Sequence, residues 1–419
     1  MKKKTAIVLG GIVPHISLLK KLKERGYYTV LIDYYENPPA KDAADLHVCE
    51  STLDLDAVER VAREYGAELI TGFCVDQAMV VSCNVSEKLG LPVPFSYESS
   101  INVTNKARMK KIMTDNGIPT SRFFITDDIG DPRVRDLTFP IVVKPVDNNG
   151  SKGVTKVDSP DDVTEPLQNA ISLSREGNAV VEEFNEGYEI QIDCFIKDGK
   201  TNVLMTRKRL KTKRGKGDAL QSFGSLIPAG LGNELEMKVE KIASDIAGAF
   251  ELNNTPFFIQ AIVNGDDIKV LEFAPRVGGS LSYSLIKRIT GFDILDAAID
   301  SLLGRDFEIA YHRPEKMYTT NIMYAYEGIF GEITGEKELL DRGVIDYYFA
   351  MKTRGMDLGS RMDSRNRVAC YIISGETEDE ILAKAAEANS TFKVFDTEGN
   401  DIMRKDLCLT AEMLHGETI

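Results

Sequence analysis

The chain has 419 residues, a formal net charge of −14, 43% hydrophobic residues and 28% charged residues. That length exceeds one ordinary core and suits two to four packed domains of a soluble globular protein. Such acidity argues against general binding to nucleic acid or to an anionic membrane, while leaving room for a local basic pocket that takes a polyphosphate. No stretch approaches the roughly 18 consecutive apolar residues of a transmembrane helix. Six cysteines, at 49, 74, 83, 194, 370 and 408, lie far apart with no C-x-x-C pair. This argues against zinc and against a disulfide framework, and a cytoplasmic location is the expectation.

Taken in chain order, Met1-Lys2-Lys3-Lys4 and the apolar run after it imitate a signal peptide. The run is short and no small-residue cleavage site follows, so it reads as a buried first strand entering a glycine turn. Strands at 6–9, 29–33 and 69–71 alternate with helices at 16–25, 55–65 and 76–89. That alternation predicts a parallel sheet with crossover helices, with ligands beyond the strand ends near Gly10, Gly11 and Asp33. Gly10-Gly11-Ile-Val-Pro-His15 is not G-x-G-x-x-G, which disfavours a dinucleotide. Pro92 and Pro94 mark a connection. Thr104 and Asn105 offer N-cap oxygens to a helix carrying Met109, Ile112 and Met113, closed by Asn116-Gly117. A helix at 235–250 puts Val239, Ile242, Ala243 and Ile246 on one face. Near the end, a strand at 368–373, a capping box at Thr377-Glu-Asp-Glu380 and a strand at 392–395 suggest a small α+β unit.

Three segments carry the chemistry. In Pro140-Ile-Val-Val-Lys-Pro-Val-Asp-Asn-Asn-Gly-Ser-Lys-Gly-Val154 a buried strand delivers Lys144. Gly150, Ser151 and Gly153 follow in a polar loop whose backbone N–H groups can approach phosphate oxygens. No Walker A sequence occurs, and a plain hairpin with a glycine tip is the alternative. In Val180-Val-Glu-Glu-Phe-Asn-Glu-Gly-Tyr-Glu189 an apolar strand ends at Glu182-Glu183, and a carboxylate returns at Glu189. Such a break suits an adenine edge and ribose hydroxyls; an ordinary acidic loop is the alternative. The third segment, 256–280, reads as two strands joined by Asn-Gly-Asp-Asp. If Gly265, Asp266 and Asp267 form a three-residue loop, Gln260 lies opposite Glu272 and two oxygen ligands converge on one face. Hard oxygen donors suit magnesium, whose shell substrate phosphates complete. The alternative is a solvent-facing Glu272.

In this order and spacing the segments resemble the ATP-grasp superfamily, in the branch of carbamoyl-phosphate synthetase large-subunit halves and L-amino-acid ligases. The resemblance covers about residues 1–310 and is specific between about 104 and 295. It implies an α/β and α+β architecture: an N-terminal Rossmann-like domain (1–100), an ATP-grasp domain (101–310, divided near 181) and a small C-terminal α+β domain (311–419). It implies ATP and magnesium, with manganese as a substitute, and small carboxylate and amine substrates. Nucleic acid and membrane are not implied as partners; a homodimer is. Carried over residue by residue, Lys106 and Lys144 match the basic positions on the phosphates, and 147–153, with Gly150, Ser151 and Gly153, matches the flap over them. Glu182, its neighbour Glu183 and Phe184 match the adenine-reading stretch, Phe184 through its backbone, and Glu189 matches the ribose carboxylate. Gln260 and Glu272 match metal ligands, and Arg276 the arginine near the γ-phosphate. One departure stands out: the family's E-x-N-x-R is Glu272-Phe-Ala-Pro-Arg276 here, so Ala274 supplies no oxygen.

The implied reaction is phosphorylation of a carboxylate by ATP, then displacement of phosphate by an amine. Positioning and charge neutralisation dominate such a step, with Lys144 and Arg276 as the catalytic pair. The dense basic run 207–216 reads as a loop over ATP, a clamp on an acceptor carboxylate, or solvated charge on a hairpin. A complete carbamoyl-phosphate synthetase needs two such halves, and this chain has one copy of each motif. A regulatory nucleotide-binding protein without turnover is the reading from another class, prompted by Ala274.

Overall fold

The computed structural model describes residues 4–148, 153–212, 221–279, 281–360 and 364–415. Four parallel strands open the chain: β1 (Lys4–Leu9), β2 (Tyr27–Ile32), β3 (Leu46–Val48) and β4 (Ala67–Thr71), in the order β3-β2-β1-β4. Helices α1 (Pro14–Glu24), α2 (Leu55–Tyr65) and α3 (Asp76–Leu89) make the crossovers. The ends of α2 follow from local chemistry. Asp54 accepts from the N–H groups of Asp56 and Ala57, and Gly66, at φ +60°, closes the helix. Asp33 is buried, taking hydrogen bonds from the N–H groups of Gly11 (2.7 Å) and Tyr35 (2.9 Å). One of its oxygens thus braces the glycine turn and the other the chain leaving β2.

Two short helices follow, α4 (Tyr97–Thr104) and α5 (Lys106–Asp115). Asn105 caps α5, accepting from Ala107 N and Arg108 N; Thr104 instead ends α4, its hydroxyl bonded back to Ser100 O. A four-stranded antiparallel sheet comes next: β5 (Phe123–Thr126), β6 (Ile141–Pro145), β7 (Thr155–Val157) and β8 (Ala179–Glu183), ordered β5-β8-β6-β7, with α6 (Thr164–Leu173) packed on it.

The largest sheet begins with β9 (Tyr188–Lys197), β10 (Lys200–Thr212), β11 (Gln221–Ile227), β12 (Thr255–Asn264) and β13 (Asp267–Ala274). Helix α7 (Asn233–Ala249) lies between β11 and β12 in sequence, burying Val239, Ile242, Ala243 and Ile246. Helices α8 (Ser282–Thr290) and α9 (Ile294–Leu302) follow β13. The chain then runs through β14 (Met317–Tyr324), β15 (Gly328–Thr334), α10 (Glu336–Asp341), β16 (Tyr347–Ala350), β17 (Asp357–Leu358), β18 (Arg367–Gly375), α11 (Glu378–Thr391), β19 (Lys393–Asp396) and α12 (Ala411–His415). Strands β14, β18 and β16 complete an eight-stranded sheet, β13-β12-β9-β10-β11-β14-β18-β16, while β15, β17 and β19 form a small sheet of their own. Residues after 310 therefore share hydrogen bonds with the sheet that carries Gln260 and Glu272.

Candidate active site

The hairpin of β12 and β13 sets the site. Asn264 pairs with Asp267, so the loop is the two residues Gly265 and Asp266, with Gly265 at φ +57°. The expected three-residue loop is not formed. Continued regularly, the two-residue register would offset Gln260 from Glu272. A bulge at Leu271 inserts one residue in β13, and Gln260 ends directly opposite Glu272. In the amide orientation that satisfies both neighbours, Gln260 nitrogen donates to Glu272 Oε1 (2.7 Å) and its oxygen accepts from Arg209. Lys106, the first residue of α5, closes the group: its Nζ lies 3.8 Å from Glu272 Oε2 and donates to Asn148 O (2.7 Å), just past β6. One lysine thereby links the two antiparallel sheets.

On the four-stranded sheet, Glu182 is buried between two lysines. Lys144 Nζ donates to Oε1 (2.5 Å) and Lys110 Nζ lies 2.6 Å from Oε2. Burial alone would raise the Glu182 pKa; the two ammonium groups outweigh it and hold the carboxyl down at about 2. Lys110, buried on α5 with a further bond to Thr120 Oγ1 (2.8 Å), has its pKa lowered by desolvation against the pull of Glu182. Sequence reasoning missed Lys110, because it falls beside apolar Met109 and Met113 in a surface-like helix pattern. Glu183 turns away and caps Thr138 N (2.9 Å). The N–H of Phe184 donates to Pro140 O (2.9 Å), so that donor is engaged within the sheet edge, and its ring lies under Lys156. Gly153 adopts φ +73°, and a Cβ there would come within 2.8 Å of the Leu173 side chain and 2.9 Å of Pro145; Gly150 and Ser151 lie outside the described residues.

The front of the basic run is not solvated charge. Arg207, Arg209 and Lys211 alternate along β10 toward the carboxylates of β9. Glu189 is buried between Arg209 (3.2 Å) and Lys211; burial pushes its pKa up, and the two cations pull it below the usual carboxylate range. Arg207 pairs with Asp193 (3.3 Å) and donates to Ser282 Oγ (2.6 Å), while Gln191 donates to Asp193 Oδ1 (2.9 Å). Desolvation raises the Asp193 pKa despite that arginine. The remainder of the run, 213–216, lies outside the described residues.

Arg276 makes a two-pronged ion pair with Asp76 at the start of α3, one contact being Nη2 to Oδ2 at 2.7 Å. Its guanidinium also lies 5.0 Å from the centre of the Phe258 ring. Asp76 belongs to the parallel-sheet segment, 200 residues away in sequence, and no local pattern points to it.

Tested against a nucleotide and its metal, these residues fit in part. Gln260 and Glu272 offer two oxygen-bearing groups on one face, with a lysine beside them, which suits a cation that shares its shell with phosphate. No group of three or more His, Cys, Asp or Glu that could hold a metal occurs among the described residues. Ala274 is buried and pairs with Phe258, so the position of the family's asparagine carries only a methyl.

Residues 137–284 match the family model described as ATP-grasp domain, the span that delivers Lys144, Glu182, Glu189, Gln260, Glu272 and Arg276. Over 407 residues the chain is 24% identical to multifunctional protein pyr-3 of Neurospora crassa, covering 92% of this chain but 22% of that protein. It is 26% identical to phosphoribosylamine–glycine ligase of Thermococcus kodakarensis, covering 78% of this chain and 80% of that one. The solved L-amino acid ligase from Bacillus licheniformis superposes with a TM-score of 0.77 at 20% identity, over 95% of this chain and 100% of that one. Residues 137–284 thus carry an ATP-grasp domain, on a fold shared with the solved L-amino acid ligase over nearly the whole chain.

Proposed function

We propose that the chain is an ATP-dependent carboxylate–amine ligase. A carboxylate oxygen attacks the γ-phosphorus of ATP, ADP leaves, and an amine then displaces phosphate from the acyl phosphate. The observation that carries this reading is the convergence of Gln260, Glu272 and Lys106 at the edge shared by two antiparallel sheets. Magnesium held by Gln260 and Glu272 would supply charge neutralisation of the polyphosphate; Gln260 must first turn its oxygen away from Arg209. Lys144 and Lys106 bring positive charge from the other sheet, and exchange of Glu182 and Glu272 for phosphate oxygens frees them for it. Glu182 and the carbonyl side of Phe184 would receive adenine. Glu189, once released by Lys211, would receive ribose. Arg276, already oriented by Asp76, would face the transferring phosphoryl group. The units 1–100, 101–310 and 311–419 then act as acceptor-side wall, nucleotide clamp and closing unit.

The test is capture of the acyl phosphate by hydroxylamine. With Mg·ATP and a panel of small carboxylic and amino acids, one class of acid should give hydroxamate and an equal amount of ADP, and Glu272→Ala should give neither. Tight ATP binding with no hydroxamate from any acid would favour the second reading, a nucleotide-binding regulator, which rests on Ala274 sitting where an oxygen ligand is otherwise found.

A further inference from the structure

The Gln260–Glu272 pair has a cation at each end. Lys106 Nζ lies 3.8 Å from Glu272 Oε2, and Arg209 Nη1 donates to the Gln260 oxygen. The same Nη1 lies 3.2 Å from Glu189 Oε1. Glu189 in turn is opposite Ile262 of β12, two residues from Gln260, which puts the carboxylate and the amide on one face of the sheet. Glu189, Arg209, Gln260, Glu272 and Lys106 therefore form an unbroken chain of polar contacts.

The cations on this face of β10 are held differently. Arg207 is buried, with Asp193 beside it and Ser282 Oγ accepting from its Nη2. Lys211 is engaged by Glu189 Oε2. The Arg209 side chain is 25% exposed, and both of its contacts fall on Nη1. Among the described residues no hydrogen bond engages its Nε or Nη2. A guanidinium carries several N–H donors in a rigid fork. Arg209 is thus tethered by Glu189 and retains donors that its neighbours do not use.

Oxygen ligands on the same face are few. Ala274, next along this face of β13 after Glu272, is buried opposite Phe258 and offers a methyl. Gln260 and Glu272, with water and phosphate oxygens completing the shell, suffice for one octahedral magnesium ion. Two ions about 3.5–4 Å apart, the arrangement that clamps both sides of a transferring phosphoryl group, call for further anionic ligands. No group of three or more His, Cys, Asp or Glu that could hold a metal occurs among the described residues. A site with one ion must draw the remaining positive charge from side chains.

We propose that this site takes a single divalent ion per nucleotide, and that Arg209 supplies the charge of a second ion by direct contact of its guanidinium with the triphosphate. This rests on the ligase reading and adds a residue and a metal count to it. When Gln260 turns its oxygen to the ion, Arg209 loses that acceptor, and a phosphate oxygen replaces it. Glu189 keeps the guanidinium beside the site throughout. The planar fork matches phosphate geometry, which a point charge does not. Arg209 makes and breaks no covalent bond; its part is electrostatic.

Two measurements on the intact chain test this. Electron paramagnetic resonance of Mn²⁺ titrated into an equimolar mixture of protein and AMP-PNP, a non-hydrolysable ATP analogue, counts the ions held. One per nucleotide is expected, and two would overturn the proposal. Calorimetric titration then compares Mg·AMP-PNP with adenosine, which has no phosphate. Arg209→Met should weaken Mg·AMP-PNP by about 10- to 100-fold, the range for a hydrogen bond to a charged group. Arg209→Lys should recover part of that loss, and adenosine should bind wild type and both variants alike. An unchanged Mg·AMP-PNP affinity in Arg209→Met would overturn the proposal. So would equal losses of adenosine and Mg·AMP-PNP, which would place the effect of Arg209 in Glu189 alone. Failure of Mg·AMP-PNP to bind wild type would instead strike the ligase reading.

Discussion

At the scale of single residues, the site consists of charges already satisfied by one another. Glu182 has two ammonium partners and is fully buried, so removing its charge leaves Lys110 and Lys144 facing each other without compensation. Glu182→Gln should destabilise the protein by about 3–5 kcal/mol at pH 7, the usual cost of breaking a buried pair, read from urea unfolding midpoints. The pH dependence has a defined sign. A carboxyl held at about 2 in the folded state, against roughly 4.3 when unfolded, binds fewer protons folded than unfolded across that interval. Its contribution is therefore complete above the unfolded value and is lost as pH falls toward the folded one. The gap between wild type and Glu182→Gln should stay constant from pH 7 to about 5 and narrow below that; a gap that widens in acid would contradict it. Most of these residues were legible as chemistry-bearing types, because glycine, lysine and acid motifs recur at fixed spacing. Their partners were not. Lys110 looks like one of several surface lysines on α5, and Asp76 meets Arg276 only because two distant segments pack together.

At the scale of elements, the sequence pattern served well where local signals are strong. Helices at 55–65 and 76–89 match α2 and α3 residue for residue, since an acidic first turn and a closing glycine bound each of them. Helix α4 was missed: its serine cap, Ser96, which accepts from Ser99 N, follows two prolines that read as a connection. The β12–β13 hairpin is more instructive. The pairing of Gln260 with Glu272 was expected from a three-residue loop, yet it arises from a two-residue loop plus a bulge, two changes of register that cancel. Alternation of apolar residues reports which face a strand buries, but a bulge leaves no mark in such a short run. The turn before β9 makes a further test. Gly187 adopts φ +121°, and a Cβ there would come within 2.1 Å of Val263 O on β12. Gly187→Ala must move β9 away from β12 just two residues before Glu189, and should cost about 2–3 kcal/mol of stability together with measurable nucleotide affinity. Thermal unfolding and AMP-PNP titration of the same variant would check both; an unchanged melting point would show that the backbone there relaxes freely.

At the scale of the whole molecule, the site is shared by segments that the sequence presents as separate units. Lys106 precedes the four-stranded sheet yet reaches Glu272 on the eight-stranded one, and Asp76 of the parallel-sheet segment orients Arg276. Helix α1 is bound to α9 by Lys21 with Asp293 and Asp296 (2.9 and 2.6 Å) and by Arg25 with Asp296 and Asp300 (both 3.0 Å), with Lys21 and Arg25 largely shielded from solvent. Strands after residue 310 extend the sheet that holds Gln260 and Glu272. Among the described residues no helix is long and apolar enough to cross a membrane. Fold class was legible because alternation of strands and helices, and the order of three motifs, survive without knowledge of tertiary contacts. The shared sheet was not, because nothing local marks β14 and β18 as neighbours of β11.

The central claim is that Lys144, Gln260 and Glu272 hold ATP through a divalent cation. Calorimetric titration of AMP-PNP into wild type, Lys144→Met and Glu272→Ala, each with and without magnesium, tests it most directly. The account predicts that wild type binds far more tightly with magnesium than without. It predicts that Lys144→Met weakens binding by about 10- to 100-fold, the range for a hydrogen bond to a charged group, and that Glu272→Ala abolishes the dependence on magnesium. Wild-type affinity indifferent to magnesium, or a magnesium dependence that survives in Glu272→Ala, would contradict it.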